Sequence, residues 1–171
     1  MRRRYGVVRI LDPDGDAERA CQEILGRKMT SAVSMYVEAL RAIEQLYGLA
    51  AVGAVQEHQM RKWVAAAAER RELAEETSLR AYCGSLEEGC RGSHLWEKLE
   101  ESETRQAYRF TRCLWAELFR SLNAEDIGVW ICEADGPVAA AFNPRIRFQR
   151  TKTLMEGDDC CDHIYYVEAD S

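Results

Sequence analysis

The side chains best suited to chemistry are concentrated in the C-terminal third of this 171-residue chain. Thiols, carboxylates and cations follow one another there in three short segments, 132–135, 150–153 and 157–163. A cysteine thiolate is a strong nucleophile near neutral pH when a cation or a helix N-terminus lowers its pKa. A neighbouring carboxylate can transfer a proton or activate water. The three segments therefore predict a site for nucleophilic or acid–base catalysis.

Cys132 and Cys161 are the two candidate nucleophiles, because each is followed by an acid within three residues. These acids, Asp135 and Asp162, are the candidates for protonating a leaving group or activating water. A second interpretation stays open for all four residues. In it the thiols pack in the core, and the carboxylates cap helices or hold turns.

His163 follows Cys161 by two residues on a predicted strand, so the two side chains share a face with Cα atoms roughly 6.5–7 Å apart. The pair could act as nucleophile and base, or it could supply half of a metal site. A strand histidine without a chemical role is the alternative. Four soft ligands could hold zinc if they converged, but their wide spacing forms no recognised motif and no metal is assigned: Cys113, Cys132, Cys161 and His163.

Two arginines and two threonines of the segment 145–155 are the candidate substrate-binding residues. Arg147 and Arg150 can each bind a carboxylate through two hydrogen bonds. Arg150 alternates onto the apolar face of its predicted strand, where a guanidinium requires an anionic partner. Thr151 and Thr153 would project from the opposite face and could donate hydrogen bonds to ligand oxygens. The preference of threonine for strands also explains their presence.

The elements that must position these residues begin with helices, because apolar residues recur at helical spacing through the first half of the chain. They predict helices over 17–47 and 50–82. The first would start after a turn at Asp12–Gly15 and would be divided at Gly26. A loop is expected around residues 84–92, where glycines accumulate.

Alternating patterns in the second half predict an antiparallel sheet. Its four strands are expected at 95–100, 105–111, 145–155 and 160–168. Helical segments over 112–122 and around 130–143 would separate the first hairpin from the last two strands. The predicted fold class is therefore α+β, with a helical N-terminal half packed on a four-stranded antiparallel sheet formed by the C-terminal half.

Composition is that of a globular protein, with 47% hydrophobic and 30% charged residues. The chain has no Gly/Ser-rich or Pro-rich linker, so we expect a single domain over residues 1–171. Such a length buries enough apolar surface to fold without a disulfide or a metal. Because the common cofactor-binding signatures are also absent, no cofactor is predicted.

Net charge is −6, from 23 Lys and Arg against 29 Asp and Glu, which argues against nucleic acid as a partner. The basic cluster Arg2–Arg4 is short enough to be a solvated terminus. Neither a signal-peptide pattern nor an apolar run of membrane-spanning length is present, so we expect a cytoplasmic protein without a membrane partner. The seven cysteines would be thiols in that compartment.

Six motifs follow one another in order through the second half: Cys113, Leu122–Gly128, Cys132-x-x-Asp135, Asn143-Pro144, Phe148-x-Arg150-Thr151-Lys152-Thr153-Leu154 and Gly157-Asp158-Asp159-x-Cys161-Asp162. Over residues 113–166 they resemble the L-2-amino-thiazoline-4-carboxylic acid hydrolase family. The resemblance implies cofactor-independent opening of a small sulfur-containing ring to give N-carbamoyl-L-cysteine. Two features depart from the family pattern and concern the substrate more than the fold: His163 stands where an aromatic residue is usual, and Cys160 is an additional cysteine.

The function expected from residues and resemblance together is hydrolysis of a 2-amino-thiazoline-4-carboxylate-like ring. The reaction needs a nucleophile at the carbon between nitrogen and sulfur, a proton for a ring heteroatom and a cation for the carboxylate. Either a cysteine or carboxylate-activated water could be the nucleophile. Two alternatives stay open, a related enzyme recruited to a biosynthetic pathway and a metal- or ligand-binding sensor domain. The expected partner is a small-molecule substrate, and a homo-oligomer also stays open.

Overall fold

A computed structural model describes the backbone of residues 16–168 and the side chains of residues 23–168. The basic cluster Arg2–Arg4 and the turn predicted at Asp12–Gly15 lie outside the described residues. In chain order the elements are α1 (Asp16–Tyr47), α2 (Leu49–Leu73), α3 (Leu79–Cys90), β1 (His94–Glu101), β2 (Arg105–Cys113), α4 (Leu114–Ser121), α5 (Glu125–Cys132), α6 (Asp135–Phe142), β3 (Ile146–Gln149), a 3-10 helix (Leu154–Glu156) and β4 (Cys161–Val167). The predicted α+β class is confirmed.

Helix α1 is continuous, so the predicted division at Gly26 is wrong. A glycine inside a helix costs only about 1 kcal/mol relative to alanine. Burial of Val33, Val37 and Leu40 along the same helix outweighs that cost. The chain turns instead at Gly48, whose φ of 80° is a conformation that residues with a Cβ rarely adopt.

Helix α2 ends at Leu73, whereas the sequence pattern predicted helix as far as residue 82. A separate helix, α3, begins at residue 79 because the Ala81 N–H donates to the Ser78 side chain (3.1 Å). The loop predicted around 84–92 is therefore mostly wrong. It is reduced to a short turn in which Gly92 has a φ of 79°.

The sheet is antiparallel throughout, with strand order β1-β2-β4-β3. The first hairpin and the last strand lie close to their predicted bounds. Alternation puts Cys161, His163 and Tyr165 of β4 on the face covered by helices, and all three are buried. Strand β1 is an outer strand, and its pairing with β2 shifts register twice, between Leu95 and Trp96 and between Lys98 and Glu100.

Strand β3 is much shorter than the predicted strand over 145–155. After Gln149 the backbone leaves the sheet, because carboxylates from the β4 side bind the N–H groups of residues 151–153. The alternation predicted for Arg150, Thr151 and Thr153 is therefore wrong. These residues lie on an irregular segment, and local hydrogen bonds determine where their side chains point.

The core has two parts. One surrounds Phe119 and is built from helices α1, α2, α4 and α5 together with the 3-10 helix. The other surrounds Tyr108 and Tyr165 and lies between α3, α6 and the covered face of the sheet. Leu154 packs against both parts, so the segment that precedes it lies at their junction. None of the described helices offers the long apolar stretch that crossing a membrane requires.

Candidate active site

Several predicted site residues meet at the junction of the two core parts. Helix α5 ends there, helix α6 begins, and the segment after β3 runs beside β4. The residues brought together, called the site cluster below, are Cys132, Asp135, Arg150, Thr153, Cys161 and His163. The site cluster thus combines a carboxyl, a guanidinium, an imidazole, a hydroxyl and two thiols.

Arg150 holds the carboxyl of Asp135. Its Nη1 donates to Asp135 Oδ2 (3.0 Å) and to the backbone carbonyl of Cys132 (3.2 Å). The Arg150 side chain is only 11% exposed, so this ion pair supplies the anionic partner that its guanidinium requires. Its Nη2 lies 3.7 Å from Glu133, whose side chain is 63% exposed. One edge of the guanidinium therefore faces a partner that solvent or a ligand could replace.

Asp135 is the group in the site cluster best suited to proton transfer. Burial raises the pKa of its carboxyl to about 7, although the nearby Arg150 lowers it and Glu133 adds to the increase. The side chain stays 27% exposed, so it can exchange a proton with solvent. A carboxyl with a pKa near the working pH exists in both protonation states, as a general acid–base group must.

His163 is neutral at physiological pH. Burial and the positive charge of Arg150 lower its pKa to about 3. Its Nε2 lies 3.8 Å from Asp135 Oδ2, and its Nδ1 lies 3.4 Å from the hydroxyl of Tyr165. The ring is also packed against Phe110 and Phe148. His163 therefore presents an uncharged imidazole edge towards Asp135.

The thiols lack the lowered pKa that a nucleophilic cysteine needs. Burial raises the pKa of Cys132 to about 12, and Asp135 adds to this increase. Burial likewise raises the pKa of Cys161, whose sulfur accepts the Leu154 N–H (3.2 Å) rather than bonding to His163. The Thr153 hydroxyl lies between these sulfurs, 3.9 Å from the first and 3.8 Å from the second. Both thiols are therefore protonated at neutral pH.

Cys113 precedes α4, where a helix N-terminus could lower a thiol pKa. Burial has the larger effect and raises the pKa of Cys113 to about 11, against hydrogen bonds from the backbone of Ala116 and Trp115. Over residues 23–168, no three side chains among His, Cys, Asp and Glu are arranged to hold a metal ion. The four soft ligands considered from the sequence therefore do not form a metal site in this part of the chain.

Three predicted site residues, Arg147, Thr151 and Asp162, lie away from the site cluster. Arg147 points from the opposite face of the sheet and pairs with Glu168 (2.9 Å). Asp162 also faces outward from β4, where it bonds to Thr151. The residues that sequence reasoning missed are Tyr165 and Glu133. Tyr165 follows His163 by two residues on the same strand, and this spacing is the signal that could have identified Tyr165.

The pH dependence of stability tests the pKa of Asp135. Because this pKa rises from 3.8 to about 7 on folding, the folded protein holds the proton more firmly than the unfolded chain. The contribution of this group to the free energy of unfolding therefore falls as the pH rises from about 4 to about 7. We expect Asp135→Asn, which stays uncharged, to gain stability relative to wild type over this interval and to hold that advantage above it.

Urea denaturation of both proteins at a series of pH values measures this difference. His163 is present in both proteins, so its own pH dependence largely cancels in the comparison. A wild-type protein that gains stability relative to Asp135→Asn as the pH rises would show that the carboxyl has a lowered pKa.

A partly buried acid–base group beside a guanidinium, on an α+β scaffold, is an arrangement typical of sites that bind small polar molecules. The chain belongs to the L-2-amino-thiazoline-4-carboxylic acid hydrolase family, whose sequence model matches residues 19–165. The match extends the resemblance carried by the motifs of residues 113–166 into the helical half of the chain. It confirms the family suggested by those motifs.

Among solved structures, the fold is similar to the crystal structure of the phenol-responsive sensory domain of the transcription activator PoxR with phenol. The TM-score is 0.51 at 11% sequence identity, over 81% of this chain and 74% of that chain. At this identity the similarity concerns the fold alone. No curated protein gives a significant match to the chain.

Proposed function

We propose that the protein hydrolyses a small cyclic carboxylate of the 2-amino-thiazoline-4-carboxylate type, with water as the nucleophile and Asp135 as the general base. The observation that carries the proposal is a carboxyl with a pKa of about 7 held by Arg150 at a partly exposed site. The family to which the chain belongs supports a ring-opening hydrolase. The substrate and the roles of the residues are the proposed part.

The chemistry balances with water as the only co-reactant. Ionised Asp135 takes one proton from water as the water oxygen bonds to the ring carbon between nitrogen and sulfur. The bond between this carbon and sulfur then breaks, and Asp135 returns its proton to the leaving sulfur. The carbon–nitrogen double bond becomes single when water adds, and the second water proton moves from the added oxygen to this nitrogen as the carbonyl forms. The product is N-carbamoyl-cysteine-like. Arg150 would bind the substrate carboxylate at the edge that now faces exposed Glu133.

The experiment that tests the proposal is hydrolysis of L-2-amino-thiazoline-4-carboxylate by the purified protein in water enriched in oxygen-18. We expect N-carbamoyl-L-cysteine with one heavy oxygen in the carbamoyl group, detected by mass spectrometry. Absence of turnover would reject this substrate. Turnover of another small ring instead would favour the alternative of an enzyme recruited to a biosynthetic pathway.

The cysteine variants distinguish water from a thiol as the nucleophile. Because burial keeps both thiols protonated, we expect Cys132→Ser and Cys161→Ser to stay within about tenfold of wild-type kcat/KM, the loss reflecting changed packing alone. Steady-state kinetics on both variants, with circular dichroism as a check of folding, measures this. A folded variant that loses all turnover would identify its cysteine as the nucleophile, with Asp135 then acting on the covalent intermediate.

A ligand-sensing domain is the second candidate, favoured by the shared fold with a phenol-responsive sensory domain. A cleft of about 170 Å³ between α1, α2 and α5, lined in part by Trp130, is large enough for a single aromatic ring. Saturable binding of phenol without any hydrolytic turnover would favour this candidate. In both cases a small molecule is the expected partner, and cytoplasmic location without nucleic acid stays a prediction.

A further inference from the structure

The carboxylate of Asp162 binds the irregular segment that follows β3. Its Oδ1 accepts the N–H groups of Thr151 (2.8 Å) and Lys152 (2.6 Å), and its Oδ2 accepts the Thr151 hydroxyl. Hydrogen bonds to a charged acceptor are roughly twice as strong as neutral ones. Three of them converge here on one side chain and tie two successive residues to β4.

The tethered residues separate two members of the site cluster. Arg150 precedes them and Thr153 follows them, and neither belongs to a helix or a strand. The Asp158 carboxylate binds the Thr153 N–H (2.7 Å), so the far end of the segment is held independently. The pairing of Gln149 with Ile164 fixes the chain before Arg150, and the Asp162 contacts fix it directly after Arg150. From this position the guanidinium must reach Asp135 on another element.

Strand alternation explains how β4 both contributes side chains to the site cluster and binds the irregular segment. Cys161 and His163 point to the covered face and join the site cluster, whereas Asp162 between them points outward to the segment. Partial burial raises the pKa of Asp162, but hydrogen bonds from Thr151 and Lys152 outweigh it and hold the pKa below its usual value. Asp162 is therefore ionised at neutral pH and has no proton to give.

We propose that Asp162 is a positioning residue, which anchors the segment 150–153 to β4 so that Arg150 meets both Asp135 and the substrate carboxylate. This inference rests on the hydrolase function proposed above. It replaces the expectation from sequence that Asp162 itself transfers a proton. A positioning role predicts that Asp162→Asn stays active, whereas a proton-transfer role predicts that it loses activity.

The test compares Asp162→Asn with Asp162→Ala in steady-state hydrolysis of L-2-amino-thiazoline-4-carboxylate. An asparagine amide oxygen can accept the two backbone N–H groups, and its NH₂ can donate to the Thr151 hydroxyl. We expect Asp162→Asn to keep kcat/KM within about threefold of wild type, because neutral hydrogen bonds weaken the anchor without removing it. We expect Asp162→Ala to lose about 100-fold, mainly through KM, because Arg150 is misplaced. Equal losses in kcat for both variants would overturn the inference.

Amide hydrogen exchange separates this inference from the proposed function. In wild type and Asp162→Asn the Thr151 and Lys152 amides should exchange slowly, and in Asp162→Ala they should exchange fast. The pKa of Asp135, followed by NMR, should rise only in Asp162→Ala, because Arg150 then no longer lowers it. If the Thr151 and Lys152 amides of Asp162→Ala exchanged as slowly as in wild type and the pKa of Asp135 were unchanged, the inference would be overturned. This holds whether or not the protein is active. A wild-type protein without turnover would reject only the proposed function.

Thr151→Val provides a gentler test if Asp162→Ala does not fold. It removes the hydroxyl donor and keeps both backbone contacts to Asp162. We expect about a fivefold loss in kcat/KM, because one of the three hydrogen bonds that anchor the segment is lost and the other two remain. Wild-type kinetics together with wild-type amide exchange in this variant would overturn the inference.

Discussion

Replacing Asp135 by asparagine is expected to lower kcat/KM for ring hydrolysis by about 10²- to 10⁴-fold, the usual contribution of a general acid–base group. Asparagine has nearly the same shape and can still accept the hydrogen bond from Arg150, so the site cluster should stay assembled. What it cannot do is take a proton from water. Steady-state kinetics and circular dichroism on the same sample measure the loss and check the fold.

Asp126→Asn is the matched control for this substitution. Asp126 also accepts a hydrogen bond from an arginine, Arg41 (2.7 Å), but it is 58% exposed and lies outside the site cluster. We expect it to keep wild-type activity. In wild type, kcat/KM should rise with pH and level off above about 7, as Asp135 ionises. An active Asp135→Asn enzyme, or a profile without this rise, would exclude Asp135 as the base.

Gly128→Ala should destabilise the fold by about 1–3 kcal/mol, the usual cost of overpacking a core. A Cβ at this position would lie 2.5 Å from Met155 Sδ and 2.8 Å from Phe119 Cγ. Phe119 is fully buried and Met155 nearly so, and Cγ of Phe119 cannot move without moving the whole buried ring. The greater helix propensity of alanine offsets about 1 kcal/mol of this cost. Urea denaturation of the variant and wild type measures the difference.

Gly53→Ala is the control, because Gly53 also lies inside a helix but a Cβ there would have no atom within 4 Å. We expect it to gain up to about 1 kcal/mol from helix propensity alone. Equal changes in the free energy of unfolding for Gly128→Ala and Gly53→Ala would show that close packing around Gly128 does not determine the effect of Gly128→Ala.

The sheet was predictable because strand alternation is a local pattern that reports burial directly. The residues at which strand β3 and helix α2 end were not predictable from such patterns. Strand β3 ends early because Asp162 and Asp158, which come later in the chain, bind the backbone that would otherwise continue the strand. The helix predicted as far as residue 82 is interrupted because Ser78 caps a new helix, and an apolar stripe does not report such a cap.

The site was predictable in its residue types and only partly in its chemistry. Alternation correctly placed Cys161 and His163 on one face and Asp162 on the other, and this alone could have separated Asp162 from the site cluster. The protonation states depend on depth in the core, which adjacent residues in the sequence do not determine. Burial therefore leaves protonated thiols and a carboxyl with a raised pKa, where the sequence left both a cysteine and carboxylate-activated water open as the nucleophile.

The two register shifts in β1 bear on how the protein behaves at high concentration. An outer strand normally offers regularly spaced N–H and C=O groups to which a strand of another molecule can add. Here the shifts disturb that spacing, and the charged Glu97, Lys98 and Glu100 line the strand. Fibril-like stacking of copies through this edge is therefore disfavoured although Leu95 and Leu99 are exposed beside it.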